Sequence, residues 1–190
     1  MNVAPHIWFR LFVVGAIGGA AYDQIHVQAH VLAYPRADFL QQSWWVAPNF
    51  GIAALLIAAT GGWVARWSTG LRSGPVTDRE LFINFAWFTV AYLLSALLPL
   101  HAPLLLGLFA LTWLARVLPR PDRLPQLLQG IGLAVCGTSF EAALSATGAF
   151  HYARPDVGLV PSWLPGLYLH GAPLALAWLV RLTPAKMNKP

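Results

Sequence analysis

Charge is what this sequence lacks. Only 10% of its 190 residues are Asp, Glu, Lys or Arg, against about 25% in ordinary soluble domains. That share cannot solvate the surface of a water-soluble globule. The single cysteine, Cys136, falls inside an apolar run, which excludes an intramolecular disulfide and any zinc site built on several thiolates. The twelve basic residues form no block, which excludes a nucleic-acid partner and leaves a membrane surface as the reason for the basic balance. No HExxH, paired ExxH or GxSxG elbow is present, so neither a zincin nor a serine hydrolase is signalled. No soluble linker, low-complexity tract or internal repeat divides the chain, and residues 1–190 read as one domain.

What is there is apolar: 57% hydrophobic residues, a mean hydropathy of +0.58 and nine tryptophans. Six runs, at about 7–24, 44–65, 80–99, 103–118, 126–148 and 163–182, approach the roughly 20 residues needed to cross about 30 Å of hydrocarbon. The first is read as a span and not a cleaved signal, because its basic start is a lone Arg10. The expected fold is an all-α membrane protein, a six-transmembrane-helix bundle. Ten basic residues then fall on the side of the termini and only Arg36 and Arg154 on the other, which puts both termini in the cytoplasm. Most tryptophans sit near span ends, where interfacial anchoring explains them, with Trp45 and Trp87 as the exceptions. Gly15 and Gly19 give the first span a GxxxG spacing that permits close helix contact or self-association, and the many small residues of the fifth place that span at the bundle centre.

Ionisable groups inside hydrocarbon are functional candidates because they are costly there. Glu141 is the one acidic residue well inside a span. The stretch YDQIHVQAH, residues 22–30, spaces Asp23, His26 and His30 at i, i+3 and i+7, one face of a helix if the helix continues. Together with His101, His151, Asp156 and His170 on the same half of the bundle, these residues offer a second reading, a metal-dependent membrane lipid hydrolase using a far-side His/Asp cluster. The bland reading is a solvated helix end. A transporter ranks below both, for want of an inverted repeat or a pair of broken helices.

Across these segments the chain resembles the Insig family, endoplasmic reticulum proteins named for insulin-induced genes. The similarity begins at LFVVG, residues 11–15, and continues through QIHVQAHVLAYP. It is stronger at SWWVAPNFG, residues 43–51, which resembles the family's Trp-Trp-Val-Pro-Pro, Cys-Cys-Gly segment. It is strongest at GAFHYARPDVGLVPSWLPGLYLHGA, residues 148–172, whereas residues 66–125 match poorly. The resemblance implies six spans with cytosolic termini and a nonenzymatic protein without cofactor or metal, which binds a sterol in the membrane and acts on membrane-protein partners. It gives YDQIHVQAH no metal role. Where the family has paired cysteines this chain has Asn49 and Phe50, and Asp122 aligns with the acidic residue that serves Scap only across an insertion, so Scap binding is not carried over. Ten Arg to two Lys suggests a prokaryotic homologue, resident in a bacterial inner membrane (in a eukaryote, the endoplasmic reticulum), whose ligand is a sterol or a glycerolipid such as diacylglycerol.

A lipid site in such a bundle needs an apolar cleft and a few polar groups. Spans one and five can form the cleft, with Pro48 bending a wall and freeing a carbonyl. Gln24, Asn49, Glu141 and Ser145 are the candidates for the polar end, and Trp45, Trp87 and Tyr92 for the flank. The competing use of each polar group is interhelical hydrogen bonding. The expected assembly is a homo-oligomer.

Overall fold

A computed structural model describes residues 5–67, 76–98 and 101–182, with side chains other than those of 65–67. Among these residues six helices run in order: α1 (Pro5–Gln28), α2 (Val46–Trp67), α3 (Asp78–Leu97), α4 (Ala102–Val117), α5 (Arg123–Ala146) and α6 (Leu164–Leu182). They coincide with the six apolar runs, and α1 extends four residues beyond its run. Three helices, α2, α3 and α5, are long and apolar enough to cross a membrane, and α4 is apolar but shorter. The outward residues of α3 and α5, Phe82, Phe85, Val90, Ile131, Val135 and Phe140 among them, are exposed. An apolar surface this extensive belongs to a bundle solvated by lipid. Arg72, Lys186 and Lys189, three of the ten basic residues counted on the terminal side, lie outside the described residues.

Two short strands, β1 (Leu32–Ala33) and β2 (His151–Tyr152), pair antiparallel with Leu32 opposite Tyr152. The ladder joins the α1–α2 loop to the α5–α6 loop, pairing the end of QIHVQAHVLAYP with the stretch of strongest family resemblance. After each strand the chain does the same thing again. Asp38 and Asp156 each precede a small bridge, Phe39 with Gln42 and Val157 with Val160. Each aspartate then accepts a backbone N–H at a Ser-Trp pair leading into a helix, Trp44 N–H for Asp38 and Ser162 N–H for Asp156. This repeat is geometric and escaped the sequence reading, because only the Asp and Ser-Trp positions carry it. At the turn, Gly158 adopts a positive φ of 61°, which costs glycine little. The first loop instead holds Leu40 at φ 48° and Gln41 at φ 63°, an uncommon conformation for residues with side chains.

The bundle centre is α6. It packs against α2, α3, α4 and α5 and buries residues along most of its length, from Leu164 through His170 to Leu179. The expectation that span five occupies the centre is not met: α5 buries Gln126, Gln129, Gly130 and Ala134 but exposes Gly132, Cys136 and Ser139. Its small residues serve contact on one side only, as at Gly137, whose missing side chain admits the ring of Tyr168. The GxxxG of α1 faces α2 of the same chain. Added Cβ atoms at Gly15 and Gly19 would overlap Ala54 and the Phe50 ring of α2 respectively. Pro48 stands in the first turn of α2, where its missing N–H costs no hydrogen bond, so it does not bend the helix. The proline inside a helix is Pro173 of α6.

Because α1 and α2 touch through glycine, Gly15→Leu and Gly19→Leu should each destabilise the protein by about 1–3 kcal/mol through overpacking. Gly18→Leu, at a glycine with open space around it, should change little. Unfolding midpoints in mixed micelles compare the three.

Candidate functional site

The end of the bundle that carries the β1–β2 ladder gathers buried polar side chains. Asp23, in the last turns of α1, is 6% exposed. Its Oδ2 accepts from the Tyr34 hydroxyl at 2.8 Å and from Gln42 Nε2 at 2.7 Å, while the Gln42 amide also reaches the Ala20 carbonyl at 2.9 Å. Glu141 of α5 accepts one tyrosine hydroxyl on each oxygen, Tyr168 of α6 on Oε1 and Tyr152 of β2 on Oε2. Burial, and after it the nearby Asp23 and Glu141 carboxylates, hold the Tyr34 hydroxyl far above its ordinary pKa. Burial and Glu141 do the same for Tyr152. Both phenols are therefore protonated donors at any physiological pH, and the carboxylates are their acceptors.

The residues of the alternative, metal-binding reading are engaged otherwise. α1 ends at Gln28, and His30 follows with a left-handed φ of 56°, so Asp23, His26 and His30 do not share a helix face. His26 is not at a solvated end: it is 3% exposed, bonded to the Ser95 hydroxyl at 2.9 Å and stacked on Tyr92 with centroids 4.7 Å apart. Tertiary packing against α3 buries a residue whose place near the end of an apolar run suggested water. His30 is exposed, as expected. Among the described residues no three of His, Cys, Asp and Glu converge as metal ligands.

The residues expected to bind lipid divide between two places. Trp45 and Tyr92 join the large core cluster at the ladder end, Trp45 edge-on to Tyr34 at 5.6 Å. Glu141 is half-buried in the same region and holds its two tyrosines. Gln24 donates from Nε2 to the Leu40 carbonyl at 2.9 Å, while its Oε1 is buried with no partner among the described residues. Asn49 and Ser145 are half-buried at the starts and ends of their helices, and neither side chain has a hydrogen bond among the described residues.

Trp87 faces elsewhere. It lies parallel to the His170 ring at 5.9 Å and under the Arg116 guanidinium at 5.0 Å, lining a cavity of about 320 Å³ at the opposite end of the bundle. Arg116 was counted with the interfacial cations, but its side chain turns inward, donating to Asn84 Oδ1 at 2.7 Å and to His170 Nδ1 at 3.1 Å. Arginine only donates, so His170 Nδ1 must be unprotonated, which leaves its Nε2–H for the Phe109 carbonyl at 3.1 Å. Sequence reasoning missed Asn84, and the signal was an amide in the middle of an apolar run.

The architecture is recognisable in solved structures. No protein-family model matches the chain, and no curated protein does. Two crystal structures match over 100% of this chain and 99% of theirs at 24% identity: a mycobacterial Insig homologue, MvINS from Mycobacterium vanbaalenii, with a TM-score of 0.75, and a cross-linked trimer of an MvINS variant, with a TM-score of 0.73. The chain has an Insig-like fold. Within that fold the ladder-end loops and the buried Asp23 and Glu141 clusters are the features with chemistry to offer a ligand.

Replacing Glu141 by Leu would leave two buried phenol hydroxyls without an acceptor and should cost about 1–3 kcal/mol for each group orphaned. Tyr168→Phe, which removes a donor but leaves Tyr152 bonded, should cost about 1 kcal/mol. Denaturation in detergent should rank Glu141→Leu below Tyr168→Phe.

Proposed function

We propose that this chain is a nonenzymatic lipid-binding protein of the Insig type, which holds a sterol or a diacylglycerol-like lipid among its helices with the head at the ladder end. The observation that carries this reading is Gln24. Its Oε1 is buried and unpartnered in a region where the neighbouring carboxylates have all found donors. A buried acceptor left unmade costs about 1–3 kcal/mol, and a lipid hydroxyl would satisfy it. The Tyr92 hydroxyl, also without a hydrogen bond among the described residues, supplies a donor for an ester or hydroxyl oxygen. Trp45 and Tyr92 form the flank, Asn49 and Ser145 are further polar groups of the wall, and Glu141 acts by fixing Tyr152 and Tyr168. Trp87, at the other end, drops out of this site.

In this reading all six helices span the membrane and both termini are cytoplasmic, which the ten-to-two division of basic residues supports. The protein works as a homo-oligomer, as the trimer of the similar MvINS variant suggests, and it regulates or scaffolds a membrane-protein partner. A prokaryotic inner membrane is its place. No observation favours the metal-dependent hydrolase, since His26 and Asp23 are occupied by Ser95, Tyr34 and Gln42.

Mass spectrometry of lipid co-purified with the protein is the test. A hydroxyl-bearing neutral lipid should be retained in stoichiometric amount, and Gln24→Leu should reduce its retention several-fold while leaving the helical content unchanged. A protein that carries only bulk phospholipid, or a Gln24→Leu variant with unaltered neutral lipid, overturns the proposal.

A further inference from the structure

The cavity at the arginine end has a composition that the ladder-end site does not explain. Its lining includes Arg79, Glu80, Asn84, Trp87, Arg116 and Arg120. Arg120 is neutralised: it donates to Glu80 at 2.8 Å and in bidentate fashion to Asp122 at 2.8 and 3.1 Å. Those bonds to Asp122, outweighing the opposing effect of burial, raise the Arg120 pKa further. Burial pushes the Asp122 carboxyl up, but the bonds and charge of Arg120 overcome it and the net shift is downward, so the pair stays ionised. Arg116 differs. It is half-buried, and no carboxylate contacts it among the described residues. Its partners are the neutral Asn84 amide, the neutral face of Trp87 and the neutral imidazole of His170.

A guanidinium carries five N–H donors, and two of those of Arg116 are used. The remainder belong to a cation in a partly dehydrated wall, where a charge without a counterion is costly. Asn84 and His170 fix the plane of the guanidinium, and Trp87 covers one face by a cation–π contact. Pro173 of α6 also lines the cavity. Having no N–H, it leaves the carbonyl one turn earlier without its helical donor. Arg79 stands exposed at the rim. About 320 Å³ reaches the lower end of the range for small-ligand sites and suits a glycerophosphate-sized group.

We propose that the cavity between α3, α4 and α6 binds a phosphate-bearing anion, held by Arg116 and approached past Arg79. The fork of a guanidinium matches two phosphate oxygens, and the position at the end of three helices puts the site at the depth of lipid headgroups. An anionic phospholipid and free phosphate share this chemistry. A zwitterionic lipid presents the same phosphate beside a cation that the arginines repel.

The test is calorimetric titration of the full-length protein in maltoside micelles with dihexanoyl phosphatidylglycerol, dihexanoyl phosphatidylcholine and inorganic phosphate. Phosphatidylglycerol should bind about tenfold or more tighter than phosphatidylcholine, and added salt should weaken it. Arg116→Gln should abolish the preference and Arg116→Lys, which keeps the charge but not the fork, should retain part of it. Phosphatidylglycerol stronger than inorganic phosphate identifies a lipid headgroup; equal affinities identify the phosphate itself. Should Arg116→Gln fail to fold, Arg79→Gln at the exposed rim should weaken phosphatidylglycerol binding and flatten its salt dependence. Wild-type protein that binds neither phosphatidylglycerol nor phosphate above phosphatidylcholine overturns the proposal. So does a folded Arg116→Gln variant with its preference intact, or an unchanged Arg79→Gln where the Arg116 variant does not fold. Loss of neutral lipid from Gln24→Leu is a separate readout at the other end, so either site can fail without the other.

Discussion

Hydrocarbon offers no hydrogen bonds, and every polar side chain drawn into this bundle must find its partner within the chain or in a ligand. The carboxylate of Glu141 shows how the fold answers that constraint. Its two oxygens accept hydroxyls from Tyr152 and Tyr168, so one side chain on α5 fastens both the β2 loop and α6. Tyr152 stands opposite Leu32 in the ladder, and the ladder in turn fastens the loop that supplies Tyr34 and Gln42 to Asp23. Two carboxylates therefore organise one end of the molecule, and both do so as acceptors of neutral donors, without a cation.

The other end solves the same problem with cations. Arg120 gathers Glu80 and Asp122, and Arg181 of α6 bonds Asp78 at 2.7 Å. These pairs lie at the helix ends, where partial hydration lowers the cost of ionisation; the exposed Arg181–Asp78 pair contributes little stability, while the Arg120 pairs are partly buried. They set geometry instead, tying the start of α3 to the end of α6 and to the α4–α5 turn. Arg116 is the exception that the ion pairs leave over, and among the described residues its partners are neutral, which leaves a half-buried charge at that end without a carboxylate.

The sequence was most informative where apolar length alone decides the structure. All six helices fall on the apolar runs, because spacing between turns and the need for about 20 greasy residues leave few alternatives. It was least informative about which face of a helix meets protein and which meets lipid, since both are apolar. That is why α5, rich in small residues, was placed at the centre that α6 occupies. The polar residues divide in the same way. Glu141 stood out because a lone carboxylate in an apolar run has no ordinary explanation, but its tyrosine partners come from residues 11 and 27 positions further on, and no local pattern announces them. Arg116 was hidden by its address: an arginine near a helix end reads as an interfacial charge whichever way its side chain turns. His26 was hidden likewise, since only the position of α3 decides that it meets Ser95 and Tyr92 and not water.

The central place of α6 follows from two of its residues. Tyr168 reaches Glu141 on α5, while His170 reaches Arg116 and Phe109 on α4 and lies along Trp87 on α3. Residues two apart on a helix are separated by about 200° around its axis, so these partners must stand on nearly opposite sides of α6. No edge helix can satisfy both. Small neighbours make the crowding tolerable: Gly166 admits Phe109 of α4, and Gly137 of α5 admits the ring of Tyr168. Within a single turn, α6 thus anchors the carboxylate cluster through Tyr168 on one side and, through His170, holds on the other the Arg116 side chain that lines the cavity.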